Sequence, residues 1–183
     1  KNNMKQFKVP TRDQVSQENQ QIFDHLKVKV GFVPNIYATY AYSSSALSRY
    51  LTFANGRTSI NNKEKEVINL IVSQINECTY CLAAHTAIGK MNGFNDEQII
   101  ELRKGSASFD TKFDALVKLA SEIIKNRGTI TDNTLNRFYE VGYNDEHLID
   151  VIVAVGEKTI TNFLHKVTNV PIDFPEAPDF VNP

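Results

Sequence analysis

The sequence predicts an all-α protein, and three observations carry that prediction. Apolar residues recur at helical spacing in one segment after another. The segments begin at Asn, Thr, Ser or Asp residues that can cap a helix, or end at glycines that can close one. No Asn-Gly turn separates two runs of alternating polarity, so β-hairpins have no local signal. With 183 residues, 42% hydrophobic and 22% charged, the chain is long enough to bury one core and is expected to form a single domain over residues 1–183.

Residues 1–10 read as an extended lead-in. Thr11-Arg12-Asp13-Gln14 has capping-box spacing and opens a first helix to about Lys29, with Val15, Ile22, Phe23 and Leu26 on its apolar side. Gly31 ends it. After the connector Phe32-Val33-Pro34-Asn35, a second helix runs from Ile36 to about Ser43 with Ile36, Tyr37 and Tyr40 inward. Ser44 or Ser45 caps a third, carrying Leu47, Tyr50, Leu51 and Phe53 and stopping near Asn55-Gly56. Asn61 or Asn62 caps a fourth, Lys63 to Asn76. Its apolar residues Val67, Ile68, Leu70, Ile71, Val72 and Ile75 nearly surround it, which predicts burial. Such a β-branched run has a strand as its alternative; length and flanking caps favour helix.

A fifth helix spans about Cys78 to Asn92 and stops at Gly93. Asn95-Asp96-Glu97-Gln98 caps a short sixth that reaches Gly105. Asp110 begins a longer amphipathic helix through Phe113, Leu116, Leu119, Ala120, Ile123 and Ile124 to Gly128. Thr131 caps the next, with Leu135 and Phe138, ending at Gly142. Asn144 caps the last, which carries Leu148, Ile149, Ile152, Val153 and Phe163. From Pro171 onward, four prolines in thirteen residues give an extended tail over 171–183, read as an arm on its own or a neighbouring subunit. Gly93-Phe94-Asn95-Asp96-Glu97-Gln98-Ile99-Ile100-Glu101-Leu102 recurs as Gly142-Tyr143-Asn144-Asp145-Glu146-His147-Leu148-Ile149-Asp150-Val151; the same Gly stop and Asn cap used twice is one reading, and an internally repeated helical unit is the favoured one.

A formal net charge of −1 with scattered basic residues gives no footprint for nucleic acid. No run approaches the roughly 20 apolar residues that span a bilayer, so no membrane contact is expected. The polar start leads into no hydrophobic signal core, and the cytoplasm is the expected location. There an isolated Cys-x-x-Cys pair points to redox or metal chemistry, since a loop this small adds little stability as a disulfide.

Both cysteines lie in Glu77-Cys78-Thr79-Tyr80-Cys81-Leu82-Ala83-Ala84-His85. On a helix, Cys78, Cys81 and His85 stand at i, i+3 and i+7 and share one face. A helix N-terminus favours thiolate over thiol. Dithiol chemistry needs one thiolate, a base to make it and a second thiol to resolve the product. Spacing alone leaves open which cysteine is the nucleophile; His85, four residues after Cys81, favours Cys81. Glu66 falls level with His85 if the chain reverses near Asn76-Glu77, and a carboxylate on an apolar helix needs a partner. Its alternative role is that of a first-turn acid complementing the helix dipole. Of the other histidines, His25 reads as solvated, His147 as exposed beyond a cap, and His165 with Lys166 as suited to the dipole at a helix C-terminus. Tyr37, Tyr40, Tyr42 and Tyr50 read as core or subunit interface.

The array of Glu66 followed by Cys78-Thr79-Tyr80-Cys81-Leu82-Ala83-Ala84-His85 resembles the AhpD-like alkylhydroperoxidases of the carboxymuconolactone decarboxylase superfamily, in their uncharacterised peroxidase-related branch. That pattern is a glutamate, twelve positions to Cys-x-x-Cys, and a histidine four beyond. Gly31-Phe32-Val33-Pro34-Asn35-Ile36 and Gly93-Phe94-Asn95-Asp96-Glu97 also resemble family segments, and the likeness covers about residues 32–171. It implies an AhpD-like helical fold and a homo-oligomer, often a trimer or hexamer. It further implies Cys81 as nucleophilic thiol, Cys78 as its resolving partner, and Glu66 and His85 as proton relay. The expected activity is that of a thiol-dependent peroxidase or a disulfide reductase, with a hydroperoxide as the substrate and a dithiol or lipoyl-type protein as the reductant, and with no cofactor and no metal. One departure stands out: the family's characterised enzyme has a histidine immediately before its second cysteine, where this chain has Tyr80, a far weaker base near neutral pH. Two other readings are a non-enzymatic redox-sensing oligomer and a metal site built from Cys78, Cys81 and His85 with Glu66 or water.

Overall fold

A computed structural model describes residues 7–179. Among them are nine α-helices, one 3-10 turn and no strand. The residues group into two compact units: those up to Arg57 with Leu164–Asp173, and Thr58–Phe163 with those from Phe174 on.

The first unit holds α1 (Gln17–Val30), α2 (Asn35–Tyr40) and α3 (Ala46–Ala54). Thr11 does not open α1. It precedes one 3-10 turn, Arg12–Gln14, whose Gln14 side chain reaches back to the Thr11 N–H at 3.0 Å. Val15 is then extended and buries its side chain with Phe23, Ala38 and Leu47. The true cap is Ser16, whose Oγ accepts the Asn19 N–H at 3.3 Å. Register explains the delayed start. Asn19, fully buried, donates to the carbonyls of Ala41 (3.2 Å) and Ser43 (3.0 Å) and so ties α1 to the end of α2. Tyr40 stacks on Tyr50 at 4.5 Å, and Tyr37 leans on the same ring. Tyr42 instead stands exposed with its hydroxyl donating to the Lys8 carbonyl (2.6 Å), and Phe53 is exposed as well. Asp173 accepts the N–H of Asn35 at 2.7 Å, holding the start of the tail against the first turn of α2.

His165 corrects an expectation. It is buried, and its Nε2–H donates to the Val170 carbonyl at 3.2 Å. Burial pushes its pKa below the ordinary 6.5, with the hydrogen bond opposing, so it is not a dipole-stabilising cation. The unfolded chain therefore binds the proton more readily, and His165 contributes stability that is present above pH 6.5 and lost as pH falls through the depressed native value. Proton NMR titration should find His165 titrating below the ordinary 6.5, and His165→Gln should flatten this part of the stability profile.

The second unit is built around α4 (Asn62–Ile75). Val67, Ile68, Leu70, Ile71 and Val72 are all buried, so tertiary burial decides for helix over the strand that the β-branched run permits. Asn61 caps α4, and the Glu64 side chain returns to the Asn61 N–H at 2.9 Å. Packed against α4 are α5 (Thr79–Met91), α6 (Asp96–Arg103) and α7 (Thr111–Lys125); α8 (Asp132–Glu140) packs on α7. The caps Asn95, Asp110 and Thr131 each accept a backbone N–H of the first turn. The repeated motif is real at the level of the turn. Gly93 and Gly142 both take a left-handed φ (91° and 97°), Phe94 and Tyr143 are both buried, and Asn95 and Asn144 each cap the next helix. The helices after the two turns differ, eight residues against twenty-four.

The last helix, α9 (Asp145–Thr168), is the largest departure from its sequence pattern. Its residues to Phe163 belong to the second unit and its final five to the first. Ile149, Ile152, Val153 and Phe163 are exposed, whereas Lys158, Thr161 and Asn162 are buried. His147 is half-buried rather than exposed, its ring 5.3 Å from that of Tyr143. No helix among the described residues is long and apolar enough to cross a membrane.

Candidate active site

Asn76 closes α4, and Glu77 adopts a left-handed φ of 54°. Such a conformation costs a non-glycine residue roughly 1–2 kcal/mol, so its surroundings must hold it. They do. The Cys78 N–H donates to the Ser73 carbonyl at 2.9 Å. Asn162 of α9, fully buried, donates to Ser73 Oγ (3.2 Å) and accepts from Asn76 Nδ2 (2.9 Å). The reversal lays α5 back along α4.

Cys78 is the N-cap of α5 rather than its first helical residue, with φ −90° and ψ 95°, and its Sγ accepts the Cys81 N–H at 3.3 Å. The two cysteines are joined by a disulfide across this first turn, their Cα atoms 5.3 Å apart. Cys78 is 0% and Cys81 2% exposed, so the sulfurs are closed to anything large. When reduced, thiols here lie at the positive end of α5.

Glu66 and His85 meet directly. The His85 Nδ1–H donates to Glu66 Oε2 at 2.8 Å, and both residues are buried. Glu66 Oε1 accepts from Asn69 Nδ2 at 3.0 Å. Burial works to raise the Glu66 carboxyl, but it is outweighed by the His85 ring, by the Asn69 hydrogen bond and by the charge of Lys158. The net effect holds the carboxyl below its ordinary 4.5. The contact orients the imidazole and leaves Nε2 as the nitrogen for proton exchange. The first-turn role that Glu66 had as an alternative belongs to its neighbour Glu64, which completes the cap of α4 and accepts from the Tyr143 hydroxyl at 2.9 Å.

Three residues of this neighbourhood escaped sequence reasoning: Asn69, Lys158 and Asn162. Asn69 had a signal, standing one turn beyond Glu66 on an otherwise apolar face. Lys158 and Asn162 also share a face, at i and i+4 of a long apolar helix. Lys158 is 5% exposed, with Glu157 Oε1 3.8 Å from its ammonium. Tyr80, at the departure from the family pattern, is buried with its ring edge-on to Phe174 at 5.8 Å. No group of three or more His, Cys, Asp or Glu side chains that could hold a metal ion occurs among the described residues, and bonded sulfurs are not thiolate ligands. A groove of about 550 Å³ between α1 and α3 includes Ile22, His25, Leu26, Tyr37 and Leu51, and none of the four candidate residues.

Residues 44–122, which include Glu66, Cys78, Cys81 and His85, match the model of the carboxymuconolactone decarboxylase family. The fold is similar to that of an uncharacterised peroxidase-related protein from Silicibacter sp. TM1040, with TM-score 0.80, 24% identity and 91% of each chain covered. It is also similar to an uncharacterised peroxidase-related protein with an alkylhydroperoxidase AhpD core from Ralstonia eutropha JMP134, with TM-score 0.79, 20% identity and 89% of each chain covered. The debrominase Bmp8 shares it more distantly, with TM-score 0.70, 15% identity, and 86% of this chain and 87% of the other covered. No curated protein sequence matches.

Proposed function

We propose that this chain, which matches the carboxymuconolactone decarboxylase family over residues 44–122 and shares its fold with AhpD-related proteins, is a thiol-dependent antioxidant enzyme that reduces hydroperoxides with the Cys78–Cys81 pair. One observation carries the reading: a buried Glu66–His85 pair at 2.8 Å, in which α4 supplies the carboxylate and His85 stands on the helix whose first turn holds the chain's two cysteines. In the reduced enzyme the Cys81 thiolate attacks the terminal peroxide oxygen. The O–O bond breaks, the alkoxide leaves with a proton relayed through His85, and Cys81 becomes a sulfenic acid. The Cys78 thiol then displaces water from that sulfur and forms the disulfide. An external dithiol, small or lipoyl-borne, reduces it by exchange and is itself oxidised to a disulfide. Glu66 holds the imidazole in place and balances its charge as the proton passes.

The near-complete burial of both sulfurs favours a small hydroperoxide over a macromolecular one. The proposal treats residues 1–183 as one domain acting within a homo-oligomer, without cofactor or metal. Stopped-flow mixing of the pre-reduced protein with hydrogen, alkyl and lipid hydroperoxides, each with a panel of dithiols including dihydrolipoamide, tests it. Rapid disulfide formation with stoichiometric loss of peroxide is the expected result; thiols that stay reduced in excess peroxide defeat it. Tyr80→Phe is expected to leave the rate unchanged, because the relay does not pass through a phenol. A marked loss on removing that one oxygen would make Tyr80 a participant.

A further inference from the structure

α9 carries apolar residues on both faces. Toward the protein it presents Val151 and Val155, with Lys158, Thr161 and Asn162 further along. Toward solvent it presents Ile149 (59% exposed), Ile152 (48%), Val153 (44%), Ile160 (47%) and Phe163 (56%). Scattered exposed apolar residues are ordinary, but these form a continuous stripe along one helix, and such a stripe marks a surface that another protein covers.

Three features say what covers it. The first is spacing. Ile149, Val153, Gly156, Ile160 and Phe163 succeed one another in steps of four, three, four and three, the alternation of a seam between two helices. The second is Gly156, in the middle of the stripe. A glycine inside a helix costs about 1 kcal/mol relative to alanine, and a Cβ there would meet nothing within 4 Å in its own chain. The protein's own packing gives no reason for it; the close approach of another backbone does. The third is symmetry. Ile152 and Ile160 lie four residues either side of Gly156, and Ile149 and Phe163 seven either side. A second α9 running antiparallel, with Gly156 on the two-fold axis, thus sets Ile152 against Ile160 and Ile149 against Phe163. It also brings the basic last turn with Lys166 toward the acidic first turn with Asp145 and Glu146 and opposes the helix dipoles, whereas a parallel copy would place like ends together.

We infer that the outward face of α9 is a self-association surface, on which two copies of this chain pack as an isologous pair with α9 antiparallel across Gly156. This pairing does not rest on the thiol chemistry. It also separates the two assemblies that family resemblance implies: a hexamer can be three such pairs, and a closed trimer contains none.

Site-specific crosslinking together with solution mass provides the test. In a Cys78→Ser/Cys81→Ser background, Gly156→Cys is expected to oxidise to a covalent dimer, while Ile149→Cys and the control Lys125→Cys, at the end of α7, do not. Sedimentation of the wild type should give an even multiple of the chain mass. Ile152→Glu/Phe163→Glu, which alters only exposed side chains, should reduce it to the monomer or to an odd-numbered subassembly with helical content intact. A monomeric wild type overturns the inference, as does an assembly that survives the double substitution. Crosslinking at Gly156 no better than at Lys125 overturns it too, and self-crosslinking at Ile149 overturns the antiparallel arrangement.

Discussion

Cys81→Ser is expected to abolish hydroperoxide consumption while the far-ultraviolet circular dichroism and cooperative unfolding of the protein persist. Both halves come from the site. A serine hydroxyl at neutral pH is neither ionised nor able to form a sulfenic acid, so the first step has no substitute nucleophile. The fold should survive because the lost disulfide closes only one helical turn, and so short a loop constrains the unfolded chain weakly. The added cost is that of a buried hydroxyl at a position 2% exposed, about 1–3 kcal/mol if it finds no partner. That is small beside the roughly 5–15 kcal/mol typical of a domain. Cys78→Ser makes the informative contrast: one equivalent of peroxide is consumed, a sulfenic acid accumulates at Cys81, and turnover stops. If the two variants behave the other way round, Cys78 is the nucleophile. If Cys81→Ser turns over like the wild type, the thiol mechanism fails.

Glu66 should show the next largest effect, with two substitutions separating its two roles. Glu66→Ala removes one partner of a buried charged pair and leaves His85 and Asn69 facing a void; the loss of stability should be about 3–5 kcal/mol. Glu66→Gln keeps an oxygen for the His85 Nδ1–H and should stay folded, yet it lacks the negative charge that balances a proton arriving on the imidazole. Its rate of disulfide formation should fall by about 10²–10⁴, the range for a positioned acid–base group. Wild-type kinetics in Glu66→Gln would reduce Glu66 to a structural residue. The pH dependence has a definite sign. Because the native Glu66 carboxyl is held below 4.5, the stability it contributes is complete above that value and lost as pH falls through the native one. Glu66→Gln should accordingly change the height of the pH–rate profile near neutrality more than its midpoints.

Most of the helices could be read from the chain, because their signals are local. A cap such as Asn61, Asn95, Asp110 or Thr131 bonds to N–H groups two or three residues away, and an αL glycine such as Gly93 or Gly142 closes the helix just before it. The failures came where a local signal met a distant constraint. Thr11 has the spacing of a cap, but buried Asn19 reaching the carbonyls of Ala41 and Ser43 sets the register of α1, and Ser16 opens it. His165 sits in the last helical turn where a cation would be welcome, but burial keeps it neutral.

The candidate site divides along the same line. Legible in the chain alone were the helical class, the two cysteines at one helix start with a histidine one turn on, and a glutamate at the right distance upstream to face that histidine. These depend on chain spacing and on a short reversal, and spacing is written in the chain. Three things came only from the packed molecule: Glu66 and Glu64 divide their duties, Lys158 and Asn162 approach the site from a helix some eighty residues away, and α9 leaves a second apolar stripe facing outward. The physical reason is that burial is a property of neighbours. An apolar residue on α9 carries the same propensity on either face, and only the elements packed against the helix determine which face is covered and which is left for another chain.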